Sequence, residues 1–269
     1  MTARILALVP TIPPRRRSCT RLLAELAKQS RPPDGVLLCL DGYGEAEAPS
    51  CPLPVVQLRT PALSGPGAKW RVVRELNGCP VDAEPGAARG VHWTQTPGDA
   101  PSVHPLAPDD VLVCIDDDAM LRDAPHFIRE LVATMGAGAA AAMGRTAAGR
   151  FAPPGAVSHG PLVYGCGLGL TVRVGHLAGL HDLAERVRRA GGPDALGPAG
   201  DDDALVSAHL WLQGVPILHA AAGNVYAAPG TQESSHTVVR RRRGEGIEDQ
   251  KRAIARITGW PWPGFRSIR

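Results

Sequence analysis

The sequence has few aromatic side chains: phenylalanine, tryptophan and tyrosine together make up 4% of its 269 residues. This scarcity excludes a core built mainly from aromatic packing, and we expect alanine, valine and leucine to fill the interior. Hydrophobic residues make up 44% of the chain, enough for the core of one large α/β domain or two small ones. No internal repeat is apparent, so a repeat architecture is not expected.

Long apolar runs are also missing. The first apolar segment, Ile5–Val9, is interrupted by Pro10 and is too short for the core of a signal peptide. The Ala/Gly-rich segment Ala137–Met143 is far too short to span a bilayer. We therefore expect no transmembrane segment.

The cysteines lack the spacings of metal fingers and of CxxC motifs. They stand at Cys19, Cys39, Cys51, Cys79, Cys114 and Cys166. Cys39 and Cys114 lie in apolar, strand-like runs and are expected to be small core residues. The pattern predicts a reduced, cytoplasmic protein.

The chain also lacks a large excess of charge, with 29 basic and 26 acidic residues and a net charge of +3. This balance does not favour a nucleic-acid partner. Basic residues are nevertheless clustered at Arg15–Arg17 and Arg240–Arg243. The second run could close over a diphosphate or contact an anionic membrane surface, although such runs are most often simply solvated.

Strand-like and helix-like segments alternate, which predicts an α/β domain with a mostly parallel sheet. Residues 79–108 show little periodicity and are expected to form a long loop. The predicted strands are Arg4–Val9, Val36–Leu40, Pro54–Leu58, Val111–Ile115, Ala139–Gly144, part of Leu162–Val174, and Pro216–His219. The predicted helices are Ser18–Lys28 (with Ser18 as N-cap), Ala68–Leu76, Ala124–Met135, His176–Ala190, one from Asp201 to about Gln213, and Ile247–Thr258.

One segment combines a buried strand with a cluster of carboxylates. The apolar run Val111–Ile115 is typical of a strand buried on both faces of a parallel sheet. It ends at Asp116, Asp117 and Asp118, at the edge where open α/β sheets bind ligands. Adjacent carboxylates repel one another unless a cation or hydrogen bonds compensate, and Mg²⁺ or Mn²⁺ prefers oxygen ligands. The segment predicts a divalent metal holding a phosphorylated substrate, with a solvated acidic turn as the alternative.

Further motifs accompany this segment in a fixed order. They are the strand-turn Val9–Thr11, the strand end Leu38–Gly42, the Gly-rich start of a basic helix at Gly65–Arg71, Ile115–Asp118, the Gly-x-Gly at Gly165–Gly167, and the acidic helix start Asp201–Asp203. Over about residues 4–220, this order resembles the GT-A glycosyltransferases, in particular their inverting, family-2-like group. The resemblance implies the GT-A fold, a single Rossmann-like, mostly parallel sheet flanked by helices.

The resemblance implies a role for each motif. The residues implied in donor binding are Pro10, Thr11, Asp41, Gly67, Lys69, Arg71, Asp116, Asp117, Gly165 and Gly167. Either Lys69 or Arg71 takes the place of an arginine that family members often carry. Asp116 and Asp118 would hold Mn²⁺ or Mg²⁺, and His236 is a further candidate for the metal or the diphosphate.

The resemblance also implies that Asp202 or Asp203 is the catalytic base, because the acidic helix start is similar to the Glu-Asp or Asp-Asp pair of the family. The register of the family's acidic pair is ambiguous here. Its spacing to Leu205 favours Asp202, whereas its spacing to Gly214 favours Asp203, and we prefer Asp202. Inverting transfer needs one carboxylate to take the proton of the acceptor hydroxyl, and positive charge at the departing diphosphate. Helix capping is the alternative role for the acidic segment, since carboxylates near a helix N-terminus are stabilising in any protein.

The resemblance thus predicts metal-dependent transfer of a sugar from a nucleotide-diphosphate sugar, with a UDP-sugar favoured, to a carbohydrate or other hydroxyl acceptor. The catalytic domain would span 1–230, with a nucleotide-binding half of about 1–120 and an acceptor half of about 121–230. Residues 231–269 would form a basic C-terminal extension that packs on this domain. A sugar-phosphate nucleotidyltransferase and a non-catalytic nucleotide-sugar-binding protein remain alternatives.

Overall fold

The structure, a computed structural model, has a mixed α/β fold in which one large sheet of eleven strands is flanked by helices. It describes residues 3–44, 46–59, 69–70, 73, 92–95, 106–155, 160–197, 200–223, 226–227 and 246–262. The helices whose bounds lie within these residues are α1 (Arg16–Leu26), α2 (Phe127–Met135), α3 (Leu180–Arg189), α4 (Asp202–Leu212) and α5 (Ile247–Thr258), with 3₁₀ turns at Pro13–Arg15 and Val174–Leu177.

The described strands are β1 (Ile5–Thr11), β2 (Gly35–Leu40), β3 (Val55–Arg59), β4 (His92–Gln95), β5 (Val111–Ile115), β6 (Ala119–Met120), β7 (Ala139–Ala141), β8 (Gly144–Thr146), β9 (Phe151–Ala152), β10 (Pro161–Gly165), β11 (Leu168–Arg173), β12 (Ile217–His219) and β13 (Tyr226–Ala227). The large sheet has the spatial order β4-β3-β2-β1-β5-β11-β7-β12-β10-β8-β9, and β13 pairs with β6 in a separate ribbon.

The strand β1 illustrates why the apolar runs are continuous. Leu6 and Leu8 contact one hydrophobic core, whereas Ile5, Ala7 and Val9 contact a second core. Helices α3, α4 and α5 supply side chains to the first core, and α1 and α2 supply side chains to the second. Successive strand side chains point to opposite faces, so a strand covered on both faces needs apolar residues at every position.

The expectation of a mostly parallel sheet holds for one half of the sheet only. Strands β3, β2, β1 and β5 are parallel, as is the pair β7 and β12, whereas the other described pairings are antiparallel. Only residues 147–150 separate β8 from β9, and these two strands pair antiparallel. A parallel neighbour would need a much longer crossover connection.

Two local predictions are wrong. Ser18 does not cap the first helix, which begins at Arg16, and the Ser18 hydroxyl instead donates to the carbonyl oxygen of Arg15 (2.8 Å). The expected loop over 79–108 contains a strand, β4, which pairs with the edge of β3. A four-residue edge strand is too short to show a periodic pattern, because its pairing partner stabilises it more than its own sequence does.

The C-terminal helix α5 packs against α4 and α3, with Ile254 buried in the first core. Residues 231–245, including the basic run Arg240–Arg243, lie outside the described residues. Cys39 and Cys114 are buried in the core, as expected. Within the described part of the chain, none of the helices has the length and apolar character needed to cross a membrane.

Substitution of Gly144 by alanine is expected to destabilise the fold. An added Cβ would overlap the carbonyl oxygen of Tyr164 and lie 2.7 Å from Leu162 Cδ1. Since the neighbouring backbone cannot rotate away, we expect Gly144→Ala to lower the free energy of unfolding by about 1–3 kcal/mol, measured by urea denaturation. The control is Gly246→Ala, whose Cβ meets the exposed Asp249 carboxylate at 3.0 Å. Equal stability of the two variants would contradict the prediction.

Candidate functional site

The parallel strands β3, β2, β1 and β5 all end at the same edge of the sheet. Thr11 ends β1, Asp41 follows β2 and Asp116 follows β5. The backbone N–H of Asp41 donates to the carbonyl oxygen of Thr11 (2.9 Å), and the N–H of Asp116 donates to the carbonyl oxygen of Gly167 (3.1 Å). Residues that are far apart in the sequence therefore meet at this edge, as expected for an α/β sheet.

A buried lysine lies within an acidic cluster, which we call the inner cluster: Lys69, Asp116, Asp202 and Asp203. The Lys69 ammonium lies 2.8 Å from Asp202 Oδ2 and 3.4 Å from Asp203 Oδ1. A methyl group added at Gly167 would touch three charged atoms at once. These atoms are Asp116 Oδ1 (3.1 Å), Lys69 Nζ (3.2 Å) and Asp203 Oδ1 (3.3 Å). Glycine at this position therefore permits three chain segments to bring their charges together.

The three aspartates at the start of α4 have different partners. Asp201 caps the helix, because its Oδ1 accepts a hydrogen bond from the N–H of Ala204 (3.0 Å). Asp202 Oδ2 accepts from the indole N–H of Trp70 (2.7 Å) as well as from Lys69. Asp203 Oδ2 accepts from the backbone N–H of Gly167, at 2.9 Å. The capping role therefore falls on the first aspartate, which leaves the other two at the inner cluster.

Burial dominates the electrostatics of the inner cluster. It raises the pKa of Asp116 to about 7, because the attraction of Lys69 only partly offsets burial and repulsion from the other carboxylates. The pKa of Asp203 is raised for the same reasons. Burial alone would lower the pKa of Lys69, but the three aspartates outweigh it, and its pKa is raised well above the usual value. The cluster thus keeps a cation beside two carboxylates, Asp116 and Asp203, that accept a proton more readily than free aspartate does.

A second charged group, which we call the outer cluster, consists of Arg15, Asp117 and Asp118. The guanidinium Nη1 of Arg15 lies 2.8 Å from Asp117 Oδ1 and 3.2 Å from Asp118 Oδ2. Burial raises the pKa of Asp117, and Arg15 and a hydrogen bond with Thr11 act against this increase. The arginine comes from the 3₁₀ turn after β1, so it joins this turn to the turn after β5.

Gly165 lies apart from both clusters. Its N–H donates to the hydroxyl of Ser207 (3.1 Å) in α4, and a Cβ there would contact Leu170 Cδ1 and Ala141 Cβ at 3.0–3.1 Å. A side chain at Gly165 would therefore point into the hydrophobic core, whereas a side chain at Gly167 would point at the charged groups of the inner cluster.

Pro10 and Thr11 are the last residues of β1. Three predicted site residues lie outside the described part of the chain: Gly67, Arg71 and His236.

Two residues of the site were not predicted from the sequence. Arg15 belongs to the basic run Arg15–Arg17, and the sequence does not distinguish its three members. In the structure, Arg15 contacts Asp117. Trp70 has no exposed surface and binds Asp202 directly. Because the chain has few aromatic residues, the tryptophan next to the candidate Lys69 could have been predicted as a site residue from the sequence.

The described residues include no group of three or more histidine, cysteine, aspartate and glutamate side chains arranged to hold a metal ion. The candidates at this edge of the sheet are two carboxylates, Asp116 and Asp118. Magnesium is commonly bound through one or two protein carboxylates, with substrate phosphates and waters completing its coordination. The oxygen donors at this edge have the chemistry that such a shared site requires.

No family model and no curated protein matches the chain. Its function is therefore inferred from the geometry of the inner and outer clusters.

Proposed function

We propose that the protein is a metal-dependent, inverting GT-A glycosyltransferase that moves a sugar from a nucleotide-diphosphate sugar, UDP-sugar favoured, to an acceptor hydroxyl. The observation that carries this proposal is the inner cluster. It places a carboxylate from the end of a parallel strand beside two carboxylates from a helix N-terminus, around one buried ammonium group. The reaction needs a group that binds the sugar donor close to a group that accepts the proton of the acceptor hydroxyl. Asp116 would serve the first role, and a carboxylate of α4 the second.

The contacts favour Asp203 over Asp202 as the catalytic base, which reverses our preference from the sequence. Asp202 is 5% exposed, and a single one of its oxygens accepts from both Trp70 and Lys69. Asp203 is 15% exposed, its pKa is raised, and its contact with Lys69 is longer at 3.4 Å. A general base must be reached by the acceptor hydroxyl and must hold a proton. Asp203 therefore takes the proton, and Asp202 anchors the segment that carries Lys69 and Trp70.

Lys69 supplies a positive charge to the inner cluster, beside the proposed base and the donor-binding Asp116. Its ammonium group contacts the carboxylates of Asp202 and Asp203 in α4. The same ammonium group and Asp116 Oδ1 both lie next to Gly167. A permanent cation here offsets the repulsion between the base and the donor-binding carboxylate. It also contributes positive charge near a departing diphosphate.

Asp116 and Asp118 provide carboxylate oxygens, the kind of ligand that Mn²⁺ and Mg²⁺ prefer. When bound, Mn²⁺ or Mg²⁺ would neutralise charge on the diphosphate leaving group. Asp118 is oriented by Arg15 through Oδ2, and Asp117 is held by the same guanidinium. The outer cluster thus fixes the aspartate run after β5 in one arrangement before the donor arrives.

The turn after β1 argues against the nucleotidyltransferase alternative. Such enzymes carry a Gly-rich loop with a basic residue directly after the first strand, whose backbone N–H groups bind phosphate. Here the turn contains Pro13 and Pro14, which have no N–H to donate. Its basic residue, Arg15, is engaged with Asp117 and Asp118. A non-catalytic binding protein needs no base, so Asp203 argues against that alternative.

A donor screen tests the proposal. We expect one of the UDP-, GDP- or dTDP-sugars to raise the Tm in the presence of Mn²⁺ or Mg²⁺, because a ligand that binds the native state stabilises it. EDTA should abolish the shift, and the matching nucleoside monophosphate should give a smaller one. The positive donor is then incubated with hydroxyl acceptors, and release of nucleoside diphosphate is measured. The proposal fails if no nucleotide-diphosphate sugar shifts the Tm.

A further inference from the structure

The C-terminal helix α5 buries a lysine that has no part in the inner cluster. The side chain of Lys251 is 4% exposed, and its ammonium lies 3.6 Å from Asp201 Oδ2. Burying an ammonium group is costly unless charges and dipoles around it compensate. Lys251 therefore needs its partners to remain close, and a change in their positions would leave a buried charge uncompensated.

Aromatic rings surround the same ammonium. Lys251 Nζ lies 4.1 Å from the ring centroid of Tyr164 and 4.7 Å from that of Trp262, distances typical of cation–π contacts. Trp262 stacks on Trp260 with 5.3 Å between centroids, and the indole N–H of Trp260 donates to the carbonyl oxygen of Val163 (2.8 Å). The segment after α5 is thus attached to β10 through both packing and hydrogen bonding.

Two of the partners of Lys251, Asp201 and Tyr164, lie close in sequence to the residues that hold the proposed base. Asp201 caps α4 through its other oxygen and is followed by Asp202 and Asp203. Tyr164 stands three residues before Gly167, whose N–H donates to Asp203 Oδ2. The lysine therefore contacts the two chain segments whose relative position sets the Asp203–Gly167 hydrogen bond.

We propose that Lys251 is a positioning residue, which holds the start of α4 against the segment after β10 and so places Asp203 for catalysis. It acts through its contacts with Asp201 and Tyr164, and its positive charge also opposes the rise in the pKa of Asp203. The inference about the rate rests on the proposed function, whereas the inference about local order does not.

The test compares Lys251→Met with Lys251→Arg, and uses Arg252→Met as the matched control. Arg252 is the next residue of α5, with a side chain that is 61% exposed. We expect Lys251→Met to lower kcat about 10- to 100-fold, the order of loss that a misplacement near 1 Å produces, with the donor KM close to wild type. Lys251→Arg should recover much of kcat, and Arg252→Met should leave it unchanged.

Hydrogen exchange supplies a readout that is independent of activity. In Lys251→Met, the amides of Ala204 and Gly167 should exchange faster, because they donate to Asp201 and Asp203, whereas the amide of Leu8 in β1 should not change. Unchanged exchange at the first two amides overturns the proposal even if the protein transfers no sugar. An equal acceleration in Arg252→Met overturns it as well, because the effect would then not be specific to Lys251.

A double-mutant cycle with Asp201→Asn separates positioning from general destabilisation. If Lys251 acts through Asp201, the double variant should lose no more of kcat than the worse single variant. Fully additive losses contradict the proposed route. If Lys251→Met does not fold, Asp201→Asn carries the exchange measurement, and normal exchange at Ala204 and Gly167 in that variant overturns the proposal.

Discussion

Asp203→Asn is expected to lower kcat about 10²- to 10⁴-fold, the usual loss when a general base is removed, while the affinity for the sugar donor stays close to wild type. The reason is that the base acts on the acceptor hydroxyl and leaves the nucleotide contacts untouched. An asparagine oxygen can still accept the hydrogen bond from the Gly167 N–H, now 2.9 Å from Asp203 Oδ2, so the fold should survive. Donor affinity is measured by calorimetry and turnover by release of nucleoside diphosphate.

Asp202→Asn is the matched comparison, because it makes the same change one residue earlier in the helix. Asp202 receives the Trp70 indole and the Lys69 ammonium, so its replacement should lower the free energy of unfolding by about 1–3 kcal/mol. Its kcat should fall less than that of Asp203→Asn. The reverse order of the two kcat values would make Asp202 the base. Normal turnover in both variants would place the base elsewhere and remove the main support for a transferase.

Asp118→Ala is expected to lose metal-dependent binding of the nucleotide. Replacing a group in the outer shell of a metal site commonly costs about 10- to 100-fold in affinity, so removing a ligand should cost at least about 10-fold. The fold should persist, because Arg15 keeps its 2.8 Å contact with Asp117. Calorimetric titration of the nucleoside diphosphate with Mn²⁺ and with EDTA separates metal-dependent from metal-independent binding.

Asp123→Ala is the control for this measurement. Its side chain is 73% exposed and lies five residues after Asp118, so the variant removes a carboxylate from the same region without touching either cluster. We expect it to bind the nucleotide as the wild type does. If wild type and Asp118→Ala show the same affinity with Mn²⁺ and with EDTA, Asp118 does not hold a metal.

The local pattern of the sequence was enough to predict the elements that carry the site. The strand Val111–Ile115 and the helix Ile247–Thr258 are confirmed at the predicted bounds. Both follow from short-range physics, since a continuous apolar run fits a strand buried on both faces and an amphipathic period fits a helix. The edge strand His92–Gln95 was missed because its pairing with β3, rather than its own residues, determines it.

The residue types of the site could also be read from the sequence, but their roles could not. Three adjacent aspartates at Asp201–Asp203 look equivalent as text, and sequence counting leaves the choice of base open. The structure distinguishes them, because Ala204, Trp70 and Gly167 each donate to a different member of the run.

Partners across the chain were decided only by the tertiary structure. Lys69 and Asp203 are separated by 134 positions, and Arg15 and Asp117 by 102, yet each pair forms a contact. Local propensity carries no information about such pairs, because they depend on the order in which strands join the sheet and on which helix faces each core. The sequence by itself determined that strands end in carboxylates and that a helix begins with them. The tertiary structure decided that the end of β5 and the start of α4 meet around one buried lysine, because the order of the strands and the packing of α4 on β10 depend on long-range contacts.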